Sequence, residues 1–474
     1  MKKTNSKGQS LLEVIIALGL FAIAAGTVFI LLGSQFKSLE IVRDGTQAIS
    51  LAEEGLEAVR TIRDRDWDEL DLGNHGLKMA ENKWAFEGES DISNDGYSRS
   101  VLVSEISANE KLVTSTVTWT PSYLRNQTIT LTSILSNWRN LAQPLLSGDW
   151  TSPQTLGSIQ LGSGKTANGL AVRNSLVYIA ASASSSAKDD FFVIDATVGW
   201  NPIIRGYTNT GPGLNSVAIS GDYAYVSNRD NNAQLQVLNI ANPDNPFLVS
   251  STKLTGNSDI GQGIAVSGNY VYIGTEKDSG KEFFVVDVAN PANPIVRGSL
   301  EIDGDVNDIF VFEERVFLAT SKDSGEFIVI NATDPLNPVQ TAAIDILGNS
   351  EEGMGIYVNS QDNRAYLARS EGGGHDEHHE IAIVNVTNVD APNLLGSLNF
   401  EADVNGIFAA DNLAFLATGE PNQEFQIFEV SDPQNMTHYS GLNFPEMATD
   451  IAFENNVIYV SVRSNDHLRI ITSQ

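Results

Sequence analysis

The chain has 474 residues, 42% of them hydrophobic and 8% aromatic, which is the composition of a folded protein of two or three domains. It contains no cysteine, and this excludes disulfide bonds, thiolate nucleophiles and cysteine-ligated zinc. The formal net charge of −30, which belongs mainly to the C-terminal part, argues against nucleic acids and anionic membrane surfaces as partners because both repel a polyanion.

The N-terminus combines a basic start with a long apolar run. Three lysines precede Gly8, two polar residues and two leucines; Glu13 follows, and residues 14–32 carry no charge. The lysines predict that this end stays cytoplasmic while the rest of the chain crosses the membrane. A carboxylate beside hydrocarbon is costly unless it has a partner, so Glu13 needs an explanation.

This order of residues resembles the class III leader of type IV pilins and pseudopilins. The resemblance implies that a prepilin peptidase cleaves between Gly8 and Gln9, that the new N-terminus is methylated, and that the helix at 9–33 stays in the inner membrane until it packs against other pilin subunits. Glu13 would then pair with the α-amino group of Gln9 in a neighbouring subunit. Major pilins usually have Phe where Gln9 stands, so a minor or pseudopilin-like subunit is favoured. A secretory signal peptide and an uncleaved anchor are the alternatives.

Residues 34–138 are expected to form a stem helix and a small antiparallel sheet. Apolar or small residues recur at steps of three and four, the spacing of one helical face, at Ala48, Leu51, Gly55, Val59 and Ile62. Alternating segments at 98–106, 111–120 and 127–138 predict three strands. A long helix packed on such a sheet resembles the globular domain of a pilin; an unrelated α+β domain is the alternative.

Residues 139–150 contain Pro, Gly and Ser without a clear period and are predicted to be a linker. From there the chain repeats: seven similar tetrads begin at residues 169, 216, 263, 308, 355, 406 and 450. The clearest unit, residues 263–302, offers four short strands, so residues 151–474 are predicted to be an all-β, seven-bladed propeller. The last unit has three strands, and 152–161 resembles the fourth strand at 293–302. This segment is expected to complete the seventh blade and close the ring.

The propeller units share a short apolar motif. FFVID at 191–195, FFVVDV at 283–288 and FIVIN at 327–331 resemble the LVIVD-repeat family of β-propellers, and the resemblance covers essentially residues 150–474. It implies the fold and says little about a ligand.

No motif for catalysis is present, so no enzyme activity is predicted. One loop, EGGGHDEHHE at 371–380, concentrates imidazole and carboxylate groups, which are suitable ligands for a divalent metal such as Zn or Ca. The candidate ligands are His375, Asp376, His378 and His379. A solvated loop without metal is the alternative.

Acidic residues also recur a few residues before the first strand of a blade. These are Asp259, Asp305, Glu351, Glu352, Asp403 and Glu446. Because entry loops converge near the central channel on one face, these residues would ring its mouth and attract cations or a basic ligand. The loops between second and third strands, including the histidine loop, would share that face. Solvated turn residues are the alternative.

These features favour a minor type IV pilin, or a similar filament subunit, that presents the propeller outside the cell to bind a protein or glycan. A propeller of this size is about 50 Å wide, whereas packed helices lie about 10 Å apart, so the subunit should be of low copy number or at the filament tip. A pseudopilin that primes a pilus or type II secretion system is the alternative, and a metal-dependent hydrolase is a third possibility.

Overall fold

The computed structural model describes most of the chain after residue 41. The described residues are 20–21, 42–63, 65, 67–80, 83–92, 96–107, 110–120, 126–136, 146–183, 185–254, 260–312, 314–346, 351–372, 379–399, 402–463 and 466–474. The chain divides into two compact units, Met1–Leu141 and Ala142–Gln474.

The first unit contains a helix, α1, at residues 42–63 and a short 3-10 helix at Trp67–Glu69. Its strands are β1 (Gly73–His75), β2 (Leu77–Ala80), β3 (Lys83–Phe86), β4 (Asp91–Ile92), β5 (Ser98–Ser107), β6 (Glu110–Trp119) and β7 (Gln127–Ser136). One sheet has the order β1-β5-β6-β7, with β4 also paired to β5, and β2 and β3 form a separate hairpin.

One face of α1 packs against this sheet. Ala48, Val59 and Ile62 are buried among the inward side chains of the strands, whose outward positions are mainly polar. Gly55 lies so close to β6 that a β-carbon there would collide with the Ser115 side chain, so the lack of a side chain permits the close approach. Arg99 crosses the same interface: it is buried and pairs with carboxylates of both the helix and β4.

Within its described residues, the second unit contains seven four-stranded antiparallel sheets, here called blades 1 to 7. Blade 1 is formed in order by β9 (Lys165–Arg173), β10 (Leu176–Ala183), β11 (Phe191–Asp195) and β12 (Ile203–Thr208). Blade 2 is formed by β13 (Leu214–Ser220), β14 (Tyr223–Asn228), β15 (Leu235–Asn239) and β16 (Phe247–Thr252). Blade 3 is formed by β17 (Gly261–Ser267), β18 (Tyr270–Thr275), β19 (Phe283–Asp287) and β20 (Ile295–Leu300). Blade 4 is formed by β21 (Val306–Phe312), β22 (Arg315–Thr320), β23 (Phe327–Asn331) and β24 (Val339–Ile344). Blade 5 is formed by β25 (Gly353–Asn359), β26 (Arg364–Arg369), β27 (Ile381–Asn385) and β28 (Asn393–Leu398). Blade 6 is formed by β29 (Val404–Ala410), β30 (Leu413–Thr418), β31 (Phe425–Glu429) and β32 (Thr437–Leu442). Blade 7 is formed by β33 (Ala448–Glu454), β34 (Val457–Val462), β35 (Leu468–Thr472) and, as its fourth strand, β8 (Gln154–Ile159).

The blades pack face to face around a ring. The first strand of each blade contacts the first strands of both neighbours, including β33 with β9, so the series closes on itself. Second and third strands are apolar and buried on both faces, and each hydrophobic cluster of this unit combines side chains from two adjacent blades. The core therefore lies between the blades, as expected for sheets that are covered on both sides.

Blade 7 takes its fourth strand from the other end of the unit. β8 pairs antiparallel with β35, from Ile159 opposite Leu468 to Gln154 opposite Thr472. With β8 in place, the third strand of blade 7 has a hydrogen-bonded neighbour on each side, as the third strands of the other described blades have.

Side-chain amides connect the inner strands of successive blades. Asn307 donates a hydrogen bond through Nδ2 to the carbonyl oxygen of Gly353 in the next blade, at 2.8 Å. Equivalent bonds run from Asn168 to Leu214, from Asn215 to Gly261, from Asn405 to Ala448 and, with a hydroxyl donor, from Thr449 to Ala167. Each bond satisfies a buried polar group while joining two blades.

The end of the predicted linker differs from the expectation. Residues 146–150 are not a free connection, since Trp150 is 3% exposed and packs edge-on against Phe415 at 5.0 Å between ring centroids. The backbone of Asp149 exchanges two hydrogen bonds with that of Gln474. The physical reason is the apolar surface of Trp150, which is buried in the cluster between blades 6 and 7.

Candidate functional site

The entry loops and the second-to-third-strand hairpins meet on one face of the ring. The backbone N–H of Lys277, in a hairpin of blade 3, donates to Oδ1 of Asp305 at 2.7 Å. In the same way Glu371, at the start of the histidine loop, donates through its backbone N–H to Oδ1 of Asp403 at 2.8 Å. Both aspartates therefore tie an entry loop to a hairpin of the preceding blade.

Three carboxylates interact on this face, where the loops of blades 3 to 5 meet. Partial burial and the charge of Asp305 raise the pKa of Glu276, and the same two causes raise the pKa of Glu352. Gln262 donates to Glu276 at 3.3 Å. Arg229 opposes the rise at Glu276 by its positive charge. These like charges form an anionic surface, here called the acidic cluster and defined by Glu276, Asp305 and Glu352, which favours a cationic ligand.

The sequence identified this surface only in part. Asp305 and Glu352 belong to it, whereas Glu276, directly after a second strand, was not predicted because the repeated acidic position lies in the entry loops. Glu446 is exposed on another entry loop. Asp259 lies outside the described residues.

The prediction for Glu351 was wrong. Its side chain is not part of an exposed acidic surface: it is buried, 3.6 Å from the guanidinium of Arg369, which also lies 3.1 Å from Glu326. Burial lowers the pKa of Arg369 and raises the pKa of Glu326, while their opposite charges act against both shifts. The second strand of blade 5 ends in Arg369, whereas the second strands of blades 3, 4 and 6 end in Thr. Because the guanidinium of Arg369 is buried, it requires the carboxylates of Glu326 and Glu351 as partners.

Two aspartates occupy the first tetrad position on inner strands. Oδ2 of Asp308 accepts a hydrogen bond from the backbone N–H of Ile356 at 2.9 Å, and Oδ2 of Asp450 accepts one from Leu170 at 2.8 Å. Burial raises the pKa of Asp308 to about 6 and that of Asp450 to about 7, the second also because of the charge of Asp308. The other blades have Gly or Ser at this position.

A repeated polar residue directly before each third strand was not recognised in the sequence. The seven members are Asp190, Gln234, Glu282, Glu326, Glu380, Glu424 and His467, and all are buried. Glu424 accepts a hydrogen bond from the backbone N–H of Phe444, at 2.6 Å, beyond the fourth strand. Corresponding bonds run from Thr210 to Asp190, Leu254 to Gln234, Ile302 to Glu282, Ile346 to Glu326 and Leu161 to His467. The sequence does contain a signal for this position, because an acidic residue recurs directly before apolar runs such as FFVID at 191–195.

The histidine loop is described only at its end. His375, Asp376 and His378 lie outside the described residues, and His379 is half-buried with its carbonyl oxygen accepting from Arg369 at 2.9 Å. Within the described ranges, no three His, Asp or Glu side chains are grouped so that they could bind a metal ion. Zn or Ca binding at this loop therefore remains a prediction.

The pilin-related residues Gly8, Gln9 and Glu13 also lie outside the described residues. Among the helical residues that the structure describes, none belongs to a helix with the length and apolarity needed to cross a bilayer.

Comparison with protein families identifies two motifs. Residues 3–29 match the prokaryotic N-terminal methylation motif, and residues 214–253 and 260–301 match the LVIVD repeat. No curated protein matches the chain. The chain thus combines a prepilin leader motif with LVIVD repeats.

Solved structures with a similar fold are β-propellers. A catalytically inactive virginiamycin B lyase from Staphylococcus aureus, with quinupristin, has a TM-score of 0.51 and 12% identity, covering 68% of this chain and 99% of its own. A chain of the mitotic checkpoint complex has a TM-score of 0.50 and 12% identity, covering 70% and 98%. The Cps50 β-propeller domain from Myceliophteria thermophila has a TM-score of 0.48 and 11% identity, covering 68% and 100%. Such low identity shows the fold alone.

Proposed function

We propose that this chain is a minor type IV pilin, or a similar filament subunit, whose seven sheets form one seven-bladed propeller that binds an extracellular protein or glycan. The observation that carries the proposal is the combination of a prepilin leader motif at 3–29 and a propeller in one chain. In this role the propeller acts by recognition and has no catalytic step.

The leader is proposed to direct assembly. A prepilin peptidase removes residues 1–8 at the cytoplasmic side, the helix at 9–33 anchors the subunit in the inner membrane, and the subunit then enters a surface filament. Glu13 pairs with the α-amino group of Gln9 of a neighbouring pilin, which offsets the cost of burying either charge. Because a propeller is much wider than the spacing of helices, few copies fit along a shaft.

The acidic cluster is the proposed contact surface for a ligand. Glu276, Asp305 and Glu352 share one face with like charges close enough to raise the pKa of two of them. A basic patch on a protein would relieve this repulsion, so we propose a protein ligand with exposed Lys or Arg; an uncharged glycan would gain less.

A pseudopilin that primes a pilus or a type II secretion system is the second candidate. The observation that favours it is Gln9, in place of the Phe that begins most major pilins. Its propeller would dock other envelope proteins and would remain at the envelope.

The two candidates differ in where the subunit is found. The full chain, with a C-terminal tag, is expressed in a bacterium that has a type IV pilus system, and sheared filaments are separated from envelopes. A filament subunit is expected in the sheared fraction with Gln9 as its N-terminus by mass spectrometry. Gly8→Ala should block cleavage and remove the protein from that fraction, while Gly45→Ala, within α1, serves as the control. Processed protein confined to envelopes would favour the pseudopilin, and uncleaved protein in both variants would reject both candidates.

Ligand recognition needs a separate test. Filaments bearing wild type or the combined Glu276→Gln, Asp305→Asn and Glu352→Gln variant are incubated with immobilised poly-lysine and with a neutral polysaccharide at low and high salt. Wild type is expected to bind poly-lysine at least tenfold more strongly than the variant at low salt. Equal binding by the two would show that this cluster is not the contact surface.

A further inference from the structure

His467 differs chemically from its six counterparts in the other blades. The residue before the third strand is an Asp, Glu or Gln in blades 1 to 6, whereas blade 7 has His467. None of the other six side chains carries an imidazole, the group that changes charge between pH 5 and 8 without any perturbation.

The hydrogen bonds of His467 define its protonation state. The backbone N–H of Leu161 can only donate, so Nδ1, 3.2 Å away, accepts. The carbonyl oxygen of Lys165 can only accept, so Nε2, also 3.2 Å away, donates. The ring is therefore neutral, with its proton on Nε2, and a second proton on Nδ1 would break the bond to Leu161 and place a charge in a side chain that is 3% exposed.

The hydrogen bond between Leu161 and His467 lies where β8 closes the ring of blades. Leu161 follows β8, the strand that closes blade 7 from the opposite end of the unit. At the same end of β8, Ile159 pairs with Leu468 and Ser158 donates to Asp466 at 3.3 Å. In the described sheets of the second unit, the fourth strands of blades 1 to 6 follow their third strands along the chain, whereas β8 comes from the opposite end of the unit and is held in its sheet by noncovalent contacts.

We propose that His467 is an acid-sensitive latch of ring closure, which holds β8 in blade 7 when neutral and releases Leu161 when protonated. Protonation of His467 weakens the attachment of β8 at the end that leads to Leu161. The other backbone pairs between β8 and β35 and the buried Trp150 limit how far the strand separates.

The charges around the imidazole decide the direction of the pH effect. Burial lowers the pKa of His467, and the neighbouring Lys165 lowers it further; the bond to the Lys165 carbonyl and the charge of Asp466 act in the opposite sense. Asp466 is itself paired with Arg469 at 2.6 Å, and β8 carries no charged residue. In the unfolded chain the imidazole ionises near its ordinary value of 6.5. The stabilisation is therefore complete above that value and is lost as the pH falls below it.

Hydrogen exchange measured by mass spectrometry on the full chain in detergent tests the latch. Protection of 154–161, corrected for intrinsic exchange, is compared at pH 7.5 and 5.0 with that of Thr437–Leu442, the fourth strand of blade 6. We expect wild type to lose about tenfold in protection at 154–161 relative to blade 6 at pH 5.0.

Two variants separate protonation from other acid effects. His467→Gln can accept from Leu161 and donate to Lys165 but cannot become charged, so it should keep its protection at pH 5.0. Glu424→His puts an imidazole at the equivalent position of blade 6 and should transfer acid sensitivity to Thr437–Leu442. Equal pH dependence in wild type and His467→Gln would overturn the proposal. If that variant fails to fold, NMR titration of the wild-type histidines decides: an imidazole at 467 that protonates at or above pH 6.5 overturns it, and one that protonates lower supports it.

Discussion

Arg369 of blade 5 and Glu326 of blade 4 form an ion pair at 3.1 Å, and neither side chain is exposed to solvent. Glu351 lies 3.6 Å from the same guanidinium. The pair thus connects blades 4 and 5, whose shared interface also contains an apolar cluster.

Arg369→Met should destabilise the protein strongly. Removing the cation leaves Glu326 and Glu351 buried, and breaking a buried pair of this kind costs about 3–5 kcal/mol. Thermal unfolding of the full chain in detergent at pH 7 measures the loss. Arg315→Met is the matched control because its pair with Asp390, at 3.5 Å, is more exposed, and its loss should be below about 1 kcal/mol.

The pH dependence of Arg369→Met gives an independent check. Burial already raises the pKa of Glu326, and loss of the nearby positive charge should raise it further. Part of the lost stability should therefore return as the pH falls and the carboxyls take up protons. A deficit of the same size at pH 5 and pH 8 would contradict this account.

Asp450→Asn should raise the melting midpoint more at pH 8 than at pH 5. Burial raises the pKa of Asp450 to about 7, from an ordinary value of 3.8. Because the folded state binds this proton more tightly than the unfolded state, stability is lost as the pH rises from the ordinary value through about 7. One pKa unit corresponds to about 1.4 kcal/mol, and the half-buried position reduces the full effect.

Midpoints of variant and wild type are compared at each pH, so that other titrating groups cancel. Asp222→Asn, an exposed turn residue of blade 2, is the control and should show no such trend. A gain for Asp450→Asn that does not change with pH would mean that this carboxyl is ionised equally easily in folded and unfolded chains.

The sequence predicted the repeating strands better than the contacts between them. Buried strands are recognisable because their apolar runs recur with the period of the blade, and the tetrad at 308 indeed lies within Val306–Phe312. Trp150 could not be assigned to the propeller because a single buried aromatic side chain leaves no periodic signal. Glu351 and Glu352 are adjacent and chemically alike, and only the buried guanidinium of Arg369 directs one inward. Side-chain direction in a loop depends on such tertiary partners, which local patterns do not contain.

Asn307→Ala should destabilise the ring modestly. The amide of Asn307 joins blade 4 to the carbonyl oxygen of the buried Gly353, and loss of one such bond, which leaves that carbonyl without its amide donor, costs about 1–2 kcal/mol. Met354 occupies the corresponding position of blade 5, where the same geometry would direct an amide towards Val404. Met354→Asn should therefore recover about 0.5–1.5 kcal/mol when added to Asn307→Ala.

Denaturant unfolding of the single and double variants gives the values, with Met354→Ala as the control for loss of the thioether. If Met354→Asn is no more stable than Met354→Ala, the amides of the other blades do not act as general connectors between inner strands.

Trp150→Ala should destabilise the propeller while Trp150→Phe should not. The indole is buried against Phe415, and removing a buried Trp costs about 3–5 kcal/mol. Among the described residues its Nε1 has no hydrogen-bond acceptor, so replacement by Phe keeps the aromatic contact and removes an unsatisfied donor. Circular dichroism melts of the full chain in detergent are expected to place Trp150→Phe within about 1 kcal/mol of wild type. A large loss in both variants would indicate that the indole N–H does have a bonding partner, and a small loss in both would mean that residues 146–150 behave as the free linker first expected from the sequence.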